Sequence, residues 1–91
     1  MKIFKYRVDL SKDIQTIEMP AAEILTVQMQ GDDAYIWAMV SPDADPMTRN
    51  IEIFSTGETI EWTPIRKYIG TVQTRAAEVR HIFEVIRETN G

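Results

Sequence analysis

The sequence has no cysteine and a single histidine, His81. Without cysteine, neither a disulfide nor a thiolate metal ligand can hold the chain together. Glycine and proline number four each, too few for a collagen-like or low-complexity chain. No apolar run approaches the roughly 18 residues that a membrane-spanning helix requires, so no membrane association is expected. Met1, Lys2, Ile3, Phe4 and Lys5 form no apolar stretch with a cleavage site, unlike a secretory signal. A cytoplasmic location is expected, and the missing cysteine is compatible with it. Positive charge is also scarce. Ten basic residues against fourteen acidic ones leave a formal charge of −4, which argues against an unselective nucleic-acid binder. The acidic residues are scattered, which suits ordinary solubility better than mimicry of a phosphate backbone.

What is present is a globular composition, 44% hydrophobic and 26% charged over 91 residues, read as one domain spanning 1–91. A chain this short buries only about 60% of its unfolded surface. With no covalent staple, its stability must come from core packing or from a second copy, so a homo-oligomer is among the expectations.

Apolar residues alternate along most of the chain, the period of half-buried strands. Residues 2–9 set Phe4, Tyr6 and Val8 against Lys5, Arg7 and Asp9. Ser11, Lys12 and Asp13 read as a turn, and residues 14–19 as a second strand stopped by Pro20. Residues 23–30 place Leu25, Val27 and Met29 on one face. Gly31, Asp32 and Asp33 then turn the chain into a return strand, residues 34–40. That strand is apolar on both faces, which marks it as central and places Trp37 in the core. Residues 41–46 form a proline-bracketed loop, 50–55 a strand, 59–66 an irregular excursion and 67–74 a further strand. Over 76–88 the good helix formers at 84–88 compete with alternating Val79, His81, Phe83 and Val85. The β-branched content selects a strand over 79–86. The expected fold is mainly β: six or seven short, mostly antiparallel strands in a curled sheet, small barrel or compact sandwich.

Eight segments in one order carry a further signal. They are Ile3-Phe4-Lys5-Tyr6, Gln15-Thr16-Ile17-Glu18-Met19-Pro20, Ile24-Leu25-Thr26-Val27-Gln28 and Trp37-Ala38-Met39-Val40, then Ser41-Pro42-Asp43, Ile53-Phe54-Ser55-Thr56-Gly57, Tyr68-Ile69-Gly70-Thr71 and His81-Ile82-Phe83-Glu84. Together they resemble a family of small uncharacterised proteins common in bacteriophages and prophages, a domain of unknown function. Residues 58–66 depart from the pattern. The resemblance implies a strand at the C-terminal end and action inside an infected bacterium. It carries over no catalytic residue.

No arrangement identifies a reaction, and no enzymatic activity and no cofactor are expected. A histidine base needs an orienting partner and a substrate within hydrogen-bond reach. His81 has no serine or cysteine nucleophile near it in sequence, so it reads as a strand histidine. Asp43 and Asp45 offer two oxygen ligands where a calcium site wants six to eight, and Asp32 and Asp33 read as turn chemistry, so no metal site is expected. Ser55, Thr56 and Gly57 can cradle a phosphate, yet a turn that needs positive φ after a strand explains the glycine better. Arg75, Arg80 and Arg87 read as solvated charge.

Trp62 stands out because its segment is polar. Beside Arg66 and Lys67 it fits an interface anchor or a base-stacking platform, and it fits a small cap under a loop equally well. The candidate binding residues are Trp62, Arg66, Lys67, Tyr68, Thr56, Gly57 and Arg49. The leading expectation is a non-enzymatic, phage-type accessory protein that binds, and inhibits, a host defence or regulatory protein. The alternatives are an oligomeric sponge for a nucleotide-like small molecule, and a virion structural or assembly protein.

Overall fold

The structure, a computed structural model, describes residues 1–87, Arg87 by its backbone alone. The helix-forming Glu88 and the charged end of Arg87 therefore lie outside the described residues. Seven strands follow one another: β1 (Lys2–Val8), β2 (Ile14–Pro20), β3 (Ala22–Gln30), β4 (Asp33–Val40), β5 (Pro46–Ser55), β6 (Ile65–Gln73) and β7 (Val79–Arg87). All pair antiparallel, in a three-stranded sheet ordered β1-β4-β3 and a four-stranded sheet ordered β2-β5-β7-β6. The sheets pack face to face without closing into a barrel. The expected mainly-β fold is the one observed. The described residues contain no helix, hence none long and apolar enough to cross a membrane.

The chain changes sheet three times. Residues 9–13 carry it from β1 to β2, Ala21 alone separates β2 from β3, and residues 41–45 lead from β4 to β5. The first crossing is tied by the Gln15 side chain. The Asp9 N–H donates to Gln15 Oε1 (2.9 Å), and Gln15 Nε2 donates to the Asp9 carbonyl (2.8 Å). The Asp9 carboxylate accepts from the Ser11 hydroxyl (2.6 Å) and the Ser11 N–H (3.0 Å). These two bonds, the hydroxyl's first, hold its pKa below the usual carboxylate value.

The inward faces of both sheets supply one apolar core: Val8, Val27, Ala34 and Ile36 meet Ile51, Ile53, Val72 and Ile82. Met19, Ala38 and Val40 extend it at one end. The layers come closest where β6 crosses β3. A Cβ on Gly70 would lie 2.8 Å from Val27 Cγ1, so only glycine admits the approach without a shift.

Among the described residues one buried ion pair lies between the layers. Arg49 of β5 donates from Nε and Nη2 to the two carboxylate oxygens of Glu84 on β7, the second bond at 2.9 Å. Its Nη1 donates to the Ala22 carbonyl of the opposite sheet (2.9 Å). Glu84 is 6% exposed. Charges are admitted to such a site only when paired and hydrogen-bonded. No buried side-chain N or O among the described residues lacks a partner.

Two expectations about faces are corrected. Leu25 does not share a face with Val27 and Met29. The register with β4 shifts between Ile24 and Thr26, so Leu25 sits on a bulge, exposed. The inward set is Ala22 and Ile24 before the bulge and Val27 and Met29 after it. Trp37 is not in the core. β4 is central, yet its inward residues are Ala34, Ile36, Ala38 and Val40. Trp37 lies half-buried on the outer face, 5.9 Å from the Lys5 ammonium. Strand alternation gives the inward positions to these aliphatic side chains and turns Trp37 to the other face.

Candidate functional site

The outer face of the four-stranded sheet collects most of the candidate residues. Ser55 starts a turn after β5, in which its carbonyl accepts the Glu58 N–H (3.1 Å). Gly57 takes a φ of +89° there, as the third position of a type II turn demands. The Glu58 carboxylate accepts the Ser55 N–H in return (2.9 Å). Residues 56–64 then connect β5 to the edge strand β6.

Arg66 fastens that connection. Its Nε and Nη2 lie 3.1 and 3.4 Å from the Glu52 carboxylate. Its Nη1 donates to the Glu61 (2.7 Å) and Pro64 (3.2 Å) carbonyls. The Arg66 side chain is 10% exposed, and its guanidinium lies 5.3 Å from the Phe54 ring centre. Phe54 meets Phe83 edge-on at 5.7 Å, and Tyr68 meets Phe83 at 5.4 Å. Phe54 is thus buried on the outer face by its aromatic neighbour and Arg66 rather than by the core.

The connection and Phe83 border an open cleft of about 400 Å³, lined by Ile60, Glu61, Trp62, Pro64, Arg66 and Phe83. A second hollow of about 370 Å³ shares Pro64 with it and includes Ile14, Asn50 and Val85. Trp62 is 95% exposed, so it is no cap under a loop.

Beside the cleft runs a line of hydroxyls through the one histidine. Thr56 Oγ1 lies 2.7 Å from His81 Nε2, Thr71 Oγ1 lies 2.9 Å from His81 Nδ1, and Tyr68 Oη lies 2.5 Å from Thr71 Oγ1. In the neutral imidazole one nitrogen donates and the other accepts, so both ring nitrogens are engaged. The partners are hydroxyls, which do not stabilise an imidazolium as a carboxylate does in a catalytic triad. Among the described residues no group of three or more His, Asp or Glu is placed to hold a metal ion.

Of the candidates, Trp62, Arg66 and Tyr68 share this face, and Thr56 and Gly57 form its rim. Arg49 lies on the opposite side of the sheet, engaged with Glu84. Lys67 is exposed and pairs in register with Glu84, so strand alternation turns it away from Arg66 and Tyr68. Sequence reasoning missed Phe83, Glu52 and Thr71, and gave His81 no neighbours. The spacing of Ile60, Trp62 and Pro64 was a visible apolar signal for the connection.

No curated protein matches the chain. No solved structure matches it either. The likeness to a family of uncharacterised small proteins does hold: the model described as Domain of unknown function (DUF7352) matches residues 1–91, and the chain belongs to that family.

Proposed function

We propose that this chain is a non-enzymatic binding protein that docks on another protein through the outer face of its four-stranded sheet, with Trp62 as the anchor. The observation that carries this reading is the 95% exposure of Trp62 at a cleft lined by Ile60, Pro64 and Phe83 together with Glu61 and Arg66. Tryptophan is among the residues most often found at the energetic centre of interfaces. The Arg66 bonds to Glu52, Glu61 and Pro64 fix the segment before any partner arrives, which lowers the ordering cost of binding. The phage resemblance of the eight segments favours an accessory role inside an infected bacterium. Inhibition of a host defence or regulatory protein is its concrete form.

A nucleotide sponge is supported less well. Arg49 and Arg66 each face a carboxylate, so a phosphate would have to displace Glu84 or Glu52. The test is affinity capture from a bacterial lysate with the wild-type chain and with Trp62→Ala in parallel. The reading expects a host protein retained in simple stoichiometry by the first and lost with the second, at unchanged thermal stability. Equal retention by both would refute it, as would a nucleotide co-purifying with a stable multimer.

A further inference from the structure

We infer that the free edge of β1 accepts an acidic extended peptide segment as an eighth strand, on a surface separate from the Trp62 cleft. β1 lies at the outside of the three-stranded sheet and, among the described residues, pairs with β4 alone. Its register runs unbroken from Lys2↔Val40 to Val8↔Ala34. Alternate N–H and C=O groups along its other side therefore face outward, the arrangement that strand addition uses. Edge strands are ordinarily blunted by charged side chains, bulges, proline or covering segments. β6 carries two register shifts, β3 carries one, and β2 ends in Pro20. β1 has no bulge and no proline; its guard is the cations Lys2, Lys5 and Arg7, which repel a basic strand and not an acidic one.

Charge identifies the occupant. β1 reads Lys-Ile-Phe-Lys-Tyr-Arg-Val, three cations and no acid, in a chain of net charge −4. Lys5 and Arg7 share the outer face with Trp37 and Tyr35. The Lys5 ammonium lies 4.5 Å from the Tyr35 ring centre. Arg7 is 3.4 Å from Asp33, with both side chains largely exposed, so that pair is weak and exchangeable. On the inner face Phe4 is 40% exposed although its register partner Ala38 is fully buried. The inner side of β1 therefore overhangs the opposite sheet. An added strand meets Phe4 and Tyr6 on one face and, once Lys5 leaves Gln30 Oε1 and Arg7 leaves Asp33, these two cations on the other. It is complementary when apolar residues alternate with Asp or Glu. A second copy of β1 is the poorer occupant. It adds three more cations and no carboxylate, and with Lys5 opposite Lys5 the like charges on neighbouring strands repel.

The test uses a blocked octapeptide of alternating Glu and Val, titrated into the isotope-labelled protein by NMR. The expected result is saturable binding that slows hydrogen exchange at alternate β1 amides, those not bonded to β4. A double variant, Lys5→Glu with Arg7→Glu, is expected to bind at least roughly tenfold more weakly and to gain binding to the alternating Lys and Val peptide. That charge exchange distinguishes a lost contact from a damaged fold. The inference is overturned by no binding at about 1 mM peptide, or by equal binding of a block-ordered or backbone N-methylated peptide. Protection elsewhere than β1 overturns it too, as does a peptide-free dimer that already protects those amides.

Discussion

Removing Arg49 alone should cost far more than removing Arg49 and Glu84 together. The pair lies between the layers, with side-chain exposures of 16% and 7%, and Arg49 also serves the Ala22 carbonyl. In Arg49→Met the Glu84 carboxylate stays buried without its cation, a situation that costs about 3–5 kcal/mol. At roughly 0.05–0.15 kcal/mol per residue, a chain of this length has about 5–14 kcal/mol in total. The single variant is therefore expected to lose at least about a fifth of its stability, and nearly all of it if the chain lies at the low end of that range. Replacing both partners, Arg49→Met with Glu84→Leu, removes the unpaired charge and adds apolar packing. It leaves the Ala22 carbonyl without its donor, a loss of about 1–3 kcal/mol. The double variant should thus recover about 2 kcal/mol of the single variant's loss. Urea unfolding followed by far-ultraviolet circular dichroism measures all three, with equal slopes as the check that the same surface is exposed. If Arg49→Met falls within about 1 kcal/mol of wild type, or the double variant is as unstable as the single, the pair does not bridge the layers as described.

Three more outcomes follow from particular contacts. Gly70→Ala should destabilise by about 1–3 kcal/mol through overpacking, because the new methyl meets the buried Val27 side chain at 2.8 Å. Combining it with Val27→Ala should give a cost below the sum of the two singles in thermal melts. Ala77 takes a φ of +62° in the β6–β7 turn, so Ala77→Gly should stabilise by about 0.5–1 kcal/mol, read as a higher urea midpoint. The Asp9 pKa is depressed by its two bonds from Ser11. Its stabilising contribution is therefore complete above the unfolded-state carboxylate pKa and is lost as pH falls through the lower folded value. Asp9→Asn should remove that acid-range slope from a melting-temperature profile, and an unchanged slope would contradict the assignment.

The strands were legible because alternation is a local property. Tyr6 and Val8, Ile51 and Ile53, and His81 to Val85 each carry the period of two in their own segment. The assignment of 79–86 to a strand rests on that period, and β7 covers it. What alternation cannot carry is which strands neighbour each other. The bulge at Leu25 is set by the register with Trp37 and Ala38 of β4 across the hairpin, so Leu25 read as inward. Trp37 read as core because β4 is apolar on both faces, and only the packing of the opposite sheet against Ala34, Ile36, Ala38 and Val40 decides which face is which. The same limit governs the site. The exposure of Trp62 followed from its polar neighbours. The Arg66–Glu52 and Arg49–Glu84 pairs join residues 14 and 35 positions apart, and nothing local assigns either arginine its carboxylate. His81 gained Thr56 and Thr71 as neighbours only through the β5-β7-β6 order.

The outer face of the four-stranded sheet as the docking surface is tested most directly by hydrogen exchange on the complex with the partner that Trp62 retains. Slowed exchange concentrated in residues 58–68 and along β7 is the predicted result. Protection confined to β1, β3 and β4, with the Trp62 segment exchanging as in the free chain, would contradict it.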